Sequence, residues 1–168
     1  MKKLLFILLL TIPIIGFGQG WEKTYGGTGQ DEGRSVQQTN DGGYIICGKT
    51  TSFGSGVQKI YLIKTDSNGD SLWTRIIGTV QEEGVFVQQT NDGGYIVCGK
   101  TYSFSTWDNI LVIKLDGGGN QQWSQTFQET SNSSEFGNSV QQTNDGGYIV
   151  CGYTMNIGNN DRDVYLIK

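Results

Sequence analysis

The decapeptide VQQTNDGGYI occurs three times in this chain, beginning at Val36, Val87 and Val140. The copies are 51 residues apart (36 to 87) and then 53 residues apart (87 to 140). Repeats of this length are typical of solenoids and propellers, because a single unit cannot bury its apolar surface without its neighbours. The sequence therefore predicts a tandem array of three related units.

The first 18 residues have the pattern of a secretory signal peptide. Lys2 and Lys3 precede an apolar run over residues 4–15, and the small-x-small triplet Gly16-Phe17-Gly18 follows it. The apolar run is shorter than a membrane-spanning helix requires. We therefore predict a signal peptide over 1–18, a repeat domain over 19–168, and a secreted or cell-surface location without membrane insertion.

The charge and composition of the predicted exported chain exclude several classes of function. Without Lys2 and Lys3, 10 of the 12 basic residues remain against 16 acidic ones, a net charge of −6. No basic stripe is present to hold a nucleic-acid backbone, so nucleic acid is not an expected partner. The chain has no His, which excludes a Ser-His-Asp triad, and we expect a protein that is not an enzyme.

Each unit contains four predicted strands joined by tight turns. In the first unit they span 35–39, 44–50, 60–65 and 72–77, and a longer link over 78–84 leads to the next unit. Segments such as Tyr44-Ile45-Ile46-Cys47 are apolar at every position, which indicates sheets that are covered on both faces. This pattern predicts an all-β, β-propeller-like array of three four-stranded antiparallel blades. A β-trefoil, which also has three units and twelve strands, is the alternative.

Two segments of the unit, DGGYIxCGxT and LIKxDxxGxxxW, carry a family resemblance. They resemble the bacterial β-propeller repeats of exported and cell-surface proteins, especially those of bacteria with a type IX secretion system. The Asp-x-x-Gly-x-x-x-Trp spacing is also similar to the tryptophan-docking element of quinoprotein-type blades, in which the ring packs between neighbouring blades. The resemblance implies this structural role for two sets of residues: Asp66, Gly69 and Trp73 in the first unit, and Asp116, Gly119 and Trp123 in the second.

The residues at the two ends of the repeat region match different parts of a unit. Trp21 to Tyr25 matches the fourth strand, and the last residues before Lys168 match a third strand. We therefore expect the N-terminal strand to complete the third blade. Three blades are fewer than the usual four to eight. Two interpretations remain open: a homodimer that closes a six-bladed ring, or a portion of a longer ring.

The cysteines occupy one equivalent position in each unit, at Cys47, Cys98 and Cys151. Equivalent positions of a tandem array do not meet, so buried free thiols are expected instead of disulfides. No metal and no cofactor is expected. The loop from Asp66 resembles a calcium loop but has Ser71 and Ile77 where that loop needs Gly and Glu.

The polar residues of the repeats occupy the same positions in each unit, so the repeats indicate no asymmetric pocket. We therefore expect a non-enzymatic scaffold or protein-interaction module at the cell surface. The alternative is a lectin-like glycan-binding propeller with one weak site per blade. Trp107 has no aromatic counterpart in the other units and is the candidate ligand contact.

Overall fold

The computed structural model describes residues 20–54, 56–102 and 107–168, and within these ranges the protein consists of strands and turns without helix. The predicted signal peptide lies outside them. No described segment forms a helix with the length and hydropathy needed to cross a membrane. The strands are β1 (Asp31–Gln38), β2 (Tyr44–Thr50), β3 (Lys59–Thr65), β4 (Ser71–Ile77), β5 (Gln81–Gln89), β6 (Tyr95–Tyr102), β7 (Asp108–Leu115), β8 (Gln121–Phe127), β9 (Ser133–Gln142), β10 (Tyr148–Asn156) and β11 (Arg162–Ile167).

Each repeat forms its own antiparallel sheet, with the strands in sequence order. The first sheet contains β1 to β4, the second β5 to β8, and the third β9 to β11. The prediction of an all-β protein is confirmed. Within the described ranges, however, the third sheet has three strands where four were predicted.

The first strand of each repeat begins earlier than predicted. In the first sheet the pairing runs from Asp31 opposite Thr50, through a register shift between Gly33 and Ser35, to Gln38 opposite Tyr44. The second sheet has the same irregularity between Gly84 and Phe86. Because the strand continues through this bulge, the link to the second sheet is residues 78–80 and not 78–84.

The buried apolar residues of the described strands lie between successive sheets. One hydrophobic cluster joins the first sheet to the second, and another joins the second sheet to the third. The uninterrupted apolar strands predicted sheets that are covered on both faces. The second sheet is covered in this way, because it contributes to both clusters. The first cluster comprises Ile45, Cys47, Ile60, Leu62, Val87, Tyr95, Val97, Leu111, Ile113 and Leu115, and the second comprises Ile96, Cys98, Ile110, Val112, Val140 and Val150.

Glutamine side chains connect the first strands of neighbouring sheets. The side-chain oxygen of Gln37 accepts a hydrogen bond from the backbone N–H of Gln89 at 2.6 Å, and that of Gln88 accepts one from Gln142 N–H at 2.9 Å. Glutamines of the first and second repeats therefore satisfy backbone donors of the next sheet that have no partner strand on that side.

The segment from Trp21 to Tyr25 does not form the predicted strand, and it does not lie on the third sheet. It packs instead on the turn at residues 66–70 of the first sheet. Trp21 donates from Nε1 to the carbonyl oxygen of Ser67 at 3.0 Å, and the Tyr25 hydroxyl donates to that of Gly69 at 2.5 Å. The indole ring also lies edge-on to Tyr44, with a centroid distance of 5.6 Å.

The cysteines differ in burial, although they occupy equivalent positions. All three are free thiols, but only Cys47 and Cys98 are buried. Burial raises the pKa of the Cys98 thiol to about 12. The prediction of a buried thiol is wrong for Cys151, which is exposed because no described residue covers that face of the third sheet.

Candidate functional site

The aspartates of the β-hairpin turns are engaged within the fold. Asp41 accepts hydrogen bonds from the Thr39 hydroxyl at 2.6 Å and from the backbone N–H of Gly43 at 3.0 Å. It also forms an ion pair with Lys64 at 2.8 Å. The second repeat has the same arrangement, with Asp92 and Lys114 at 2.9 Å.

These contacts have an electrostatic consequence. The hydrogen bond from Lys64, followed by that from Thr39, lowers the pKa of Asp41 to about 2. The side chains of Lys64 and Lys114 are only 5% and 4% exposed, so each needs a carboxylate partner in the fold. These contacts give the hairpin aspartates a structural role in the fold.

The Asp-x-x-Gly turns hold the tryptophan rings of the preceding segment. Asp66 accepts hydrogen bonds from the N–H groups of Asn68 and Asp70 at 2.9 and 2.8 Å, and Asp116 forms the same turn in the second sheet. Gly69 and Gly119 have a positive φ of 79°. A Cβ atom at these positions would lie 2.6 Å from the Trp21 ring and 2.9 Å from the Trp73 ring.

Trp123 has a different environment from Trp73. Both rings contact a tyrosine of the next sheet, with centroid distances of 5.8 Å from Trp73 to Tyr95 and 5.7 Å from Trp123 to Tyr148. Trp123 is nevertheless 40% exposed. No described residue forms an Asp-x-x-Gly turn beside it.

The acidic residues of a second set accept hydrogen bonds from nearby threonine and serine hydroxyls. The Asp31 carboxylate accepts from the hydroxyls of Thr50 and Ser52, and the bond from Ser52 is the main cause of its lowered pKa. Glu135, its counterpart in the third repeat, is fully buried and accepts from Ser133. No group of three potential metal ligands occurs among the residues that the structure describes.

The repeats differ at one pair of facing positions near the start of their first strands. Glu32 faces Lys49 in the first sheet, and Glu83 faces Lys100 in the second. In the third sheet the corresponding residues are Phe136 and Tyr153. An aromatic pair therefore replaces an acid–base pair.

The two aromatic rings stack on each other, and cations lie over them. Their centroids are 4.7 Å apart with an interplanar angle of 18°. Lys100 Nζ lies 5.5 Å from the Phe136 centroid, and the Arg162 guanidinium lies 5.0 Å from that of Tyr153. A ring separation of 4.7 Å leaves no room between the rings, so the cations cover the outer faces.

This aromatic pair lines a cavity with a volume of about 340 Å³ to which all three sheets contribute. Arg34 of β1 reaches across it and forms ion pairs with Glu83 at 3.0 Å and Glu32 at 3.1 Å. The cavity therefore combines both signs of charge with two aromatic rings and an exposed amide. Its lining residues are Arg34, Glu83, Val85, Lys100, Phe136, Gly137, Asn138 and Tyr153, and we call it the Phe136 cavity.

The positions that the repeats share do not indicate the Phe136 cavity, because its aromatic residues occur in one repeat only. The signal was the departure from the repeat at Phe136 and Tyr153. Trp107, the candidate ligand contact, is 46% exposed and precedes β7, but it does not line this cavity. Residues 103–106, which precede it, lie outside the described residues, and Asp108 and Asn109 after it belong to β7.

Comparison of the chain with protein-family models and with curated proteins finds no match.

Proposed function

We propose that this chain is an exported β-propeller-type repeat protein and a non-enzymatic protein-interaction module that binds its partner at the Phe136 cavity. The propeller assignment is supported by one antiparallel sheet per repeat, by face-to-face packing of the sheets, and by glutamine bridges between their first strands. The predicted signal peptide supports the exported location.

The observation that carries the proposal is the replacement of Glu and Lys by Phe136 and Tyr153 at one place in the array. Most of the repeated carboxylates already have partners within the fold, so they do not distinguish a ligand. The Phe136 cavity is asymmetric and is bordered by Arg34, Glu83 and Lys100. Aromatic and arginine side chains in a concave site are the residues that most often dominate protein–protein affinity.

A protein partner fits the cavity better than a sugar does. Sugars bind proteins by stacking on an open aromatic face, whereas Lys100 and Arg162 cover the outer faces of this stack. Ring edges, charged groups and the Asn138 amide remain for contact with side chains and backbone of a protein.

Glycan binding is the second candidate, because the same cavity places aromatic rings beside an amide and ionic groups. It would require a cation to leave its ring. It would also give one site for the array and not one per repeat.

A double variant that restores the acid–base pair of the other two repeats tests the proposal. Phe136→Glu with Tyr153→Lys should fold, because the first and second sheets carry these residues at the same positions. A photo-crosslinking amino acid placed at the exposed Asn138 should capture one discrete protein from the cell envelope or medium of the source organism. The double variant should reduce that product at least tenfold.

The same crosslinker at Asn68, an exposed turn residue of the first sheet, is the control and should not capture the product. A glycan array on the exported chain separates the two candidates. Saturable glycan binding that the double variant abolishes, without a specific crosslinked protein, would replace the protein-interaction proposal by glycan binding. Capture that persists in the double variant would show that the cavity is not the binding site.

A further inference from the structure

We propose that two copies of this chain associate head to tail, with the open face of the third sheet of one copy packed on the open face of the first sheet of the other. The contacts would be those by which successive sheets already pack within the chain. The partner is therefore a second copy of this chain, recognised through a repeated interface.

The open face of the third sheet carries apolar residues that are buried at the same positions of the other sheets. Val164 is 82% exposed and Leu166 is 60% exposed, and Cys151 is also exposed. Their counterparts in the first sheet, Ile60, Leu62 and Cys47, are all 0% exposed because the second sheet covers them. The third sheet thus presents half of an interface that lacks its other half among the described residues.

The open face of the first sheet is the matching half. Val36 is 65% exposed, whereas its counterparts Val87 and Val140 are 1% and 2% exposed beneath the preceding sheet. A cavity of about 350 Å³ lies on this face and is lined by Gly33, Ile46 and Tyr25, among others. It occupies the position at which, in the other sheets, the preceding sheet inserts its cysteine and isoleucine.

The cysteine and glycine positions show how closely the two halves correspond. A Cβ atom on Gly84 would collide with the Cys47 sulfur, and one on Gly137 would collide with the Cys98 sulfur. The next members of this series are Cys151, which is exposed, and Gly33, where a Cβ atom would meet only Ile46 Cγ2, at 3.8 Å. Docking would place Cys151 of one copy against Gly33 of the other.

The N-terminal segment continues the same correspondence at the sheet edge. Trp21 covers Gly69 as Trp73 covers Gly119. Lys23 binds Asp70 at 2.8 Å, and its counterpart Arg75 donates to the carbonyl oxygen of Gly118 at 2.6 Å.

Residues 21–25 therefore lie against the first sheet as a fourth strand of a preceding sheet would. In the docked pair they would lie beside β11, which pairs only with β10 among the described strands.

A head-to-tail interface uses two different surfaces, so it closes into a ring or continues as a filament. The described ranges of two copies supply six sheets, which is within the four to eight of closed propellers. We therefore infer a closed pair. It would bury the open faces and the open edge of β11, which would otherwise favour aggregation.

The test uses two single substitutions on opposite sides of the proposed interface. Gly33→Leu fills the open face of the first sheet, where the surrounding space admits a side chain within the single chain. Leu166→Arg places a charge on the open face of the third sheet. We expect the exported chain to have about twice the monomer mass by light scattering at micromolar concentration, and each variant to be monomeric.

Mixing the two monomeric variants identifies the orientation. The Gly33→Leu chain keeps an intact third sheet and the Leu166→Arg chain keeps an intact first sheet, so the mixture should regain a dimer through one interface. Asn68→Leu, on an exposed turn, is the control and should leave the dimer intact. Circular dichroism of each variant checks that its strands are retained.

Thiol labelling gives a second readout that does not depend on mass. A thiol reagent should react rapidly with one cysteine in the Gly33→Leu chain, Cys151, and at least tenfold more slowly in the parent dimer. A monomeric parent whose Cys151 reacts as fast as that of the variant would overturn the proposal, as would a dimer that Gly33→Leu leaves intact. Growth into larger assemblies with rising concentration would keep the docking but overturn the closed pair.

Discussion

At the scale of single residues, the most repeated side chains of this protein stabilise its turns. In each repeat an aspartate of the hairpin turn accepts hydrogen bonds from the threonine two residues before it and from the N–H of the glycine two residues after it, and binds a lysine in or directly after the third strand. Backbone bonds within the turn leave the N–H of its second glycine without a backbone acceptor, and the aspartate supplies one in all three copies. Repetition of these carboxylates therefore reflects a local requirement of the fold.

The titration of these aspartates should determine the acid stability of the chain. The pKa of Asp41 falls from 3.8 to about 2, and the pKa of Asp92 is also lowered, by bonds from Thr90 and then Lys114. A carboxyl whose pKa is depressed by folding stabilises the fold above its unfolded pKa, and this stabilisation is lost as the pH falls through the folded pKa. We expect stability to decline between about pH 4 and pH 2, and Asp41→Asn to lower stability at pH 7 and flatten this decline.

Urea unfolding at a series of pH values measures this effect. Asp163→Asn, at an exposed position of β11, is the control and should leave the pH profile unchanged. If Asp41→Asn and the parent chain lose stability equally between pH 4 and pH 2, the Lys64 contact does not contribute in the way proposed.

At the scale of elements, the Asp-x-x-Gly turn joins one sheet to the next. Its glycine serves two purposes, since it adopts a positive φ and leaves space for an indole ring from the preceding segment. The tryptophan then contacts a tyrosine at the start of the second strand, as Trp73 contacts Tyr95. A local turn thus becomes part of the contact between sheets.

Two glycines with the same φ distinguish the cost of the backbone conformation from the cost of the contact with the indole ring. Gly93 and Gly119 both have a φ of 79°, but a Cβ atom at Gly93 meets nothing within 4 Å, whereas one at Gly119 lies 2.9 Å from the Trp73 ring. Gly93→Ala should cost about 1–2 kcal/mol from the left-handed conformation alone. Gly119→Ala should cost about 1–3 kcal/mol more, because the ring must move. Urea unfolding of both variants measures the difference, and equal losses would mean that the tryptophan contact adds nothing to stability.

At the scale of the whole molecule, stability comes from the contacts between sheets. Both hydrophobic clusters contain residues of two successive sheets, so no described sheet has a core of its own. In such an array each unit depends on its nearest neighbour. We therefore expect an unfolding reaction in which the loss of one interface affects more than one repeat.

Substitutions at the equivalent glycines Gly84 and Gly33 test this dependence. The preceding sheet covers Gly84, whereas Gly33 lies on the open face of the first sheet. Gly84→Ala forces a methyl group against Cys47 and Ile60 and should cost about 1–3 kcal/mol. Gly33→Ala, at the same position on the open face, should change stability by less than about 0.5 kcal/mol in the Leu166→Arg chain, which we expect to be monomeric. Tryptophan fluorescence and far-UV circular dichroism should report the same urea midpoint for Gly84→Ala. Separate midpoints would show that the sheets unfold independently.

Turn residues and the apolar pattern predicted the repeat, the all-β class and most strand positions from the sequence alone. The second strand of the first repeat was predicted over 44–50, and the structure has it at Tyr44–Thr50. The third and fourth strands were predicted within one residue at their first ends. These features depend on turn residues and on the apolar pattern of neighbouring positions, which are local properties of the chain.

Contacts between sheets, in contrast, determine which equivalent residues differ in environment. Cys98 and Cys151 have the same sequence context, yet a following sheet buries the first and leaves the second exposed. The Phe136 cavity likewise requires residues from three sheets, and Trp21 lies on the first sheet and not on the third. Burial, cavities and docking depend on contacts between residues about 50 positions apart, and a repeat pattern describes each unit without stating what covers it.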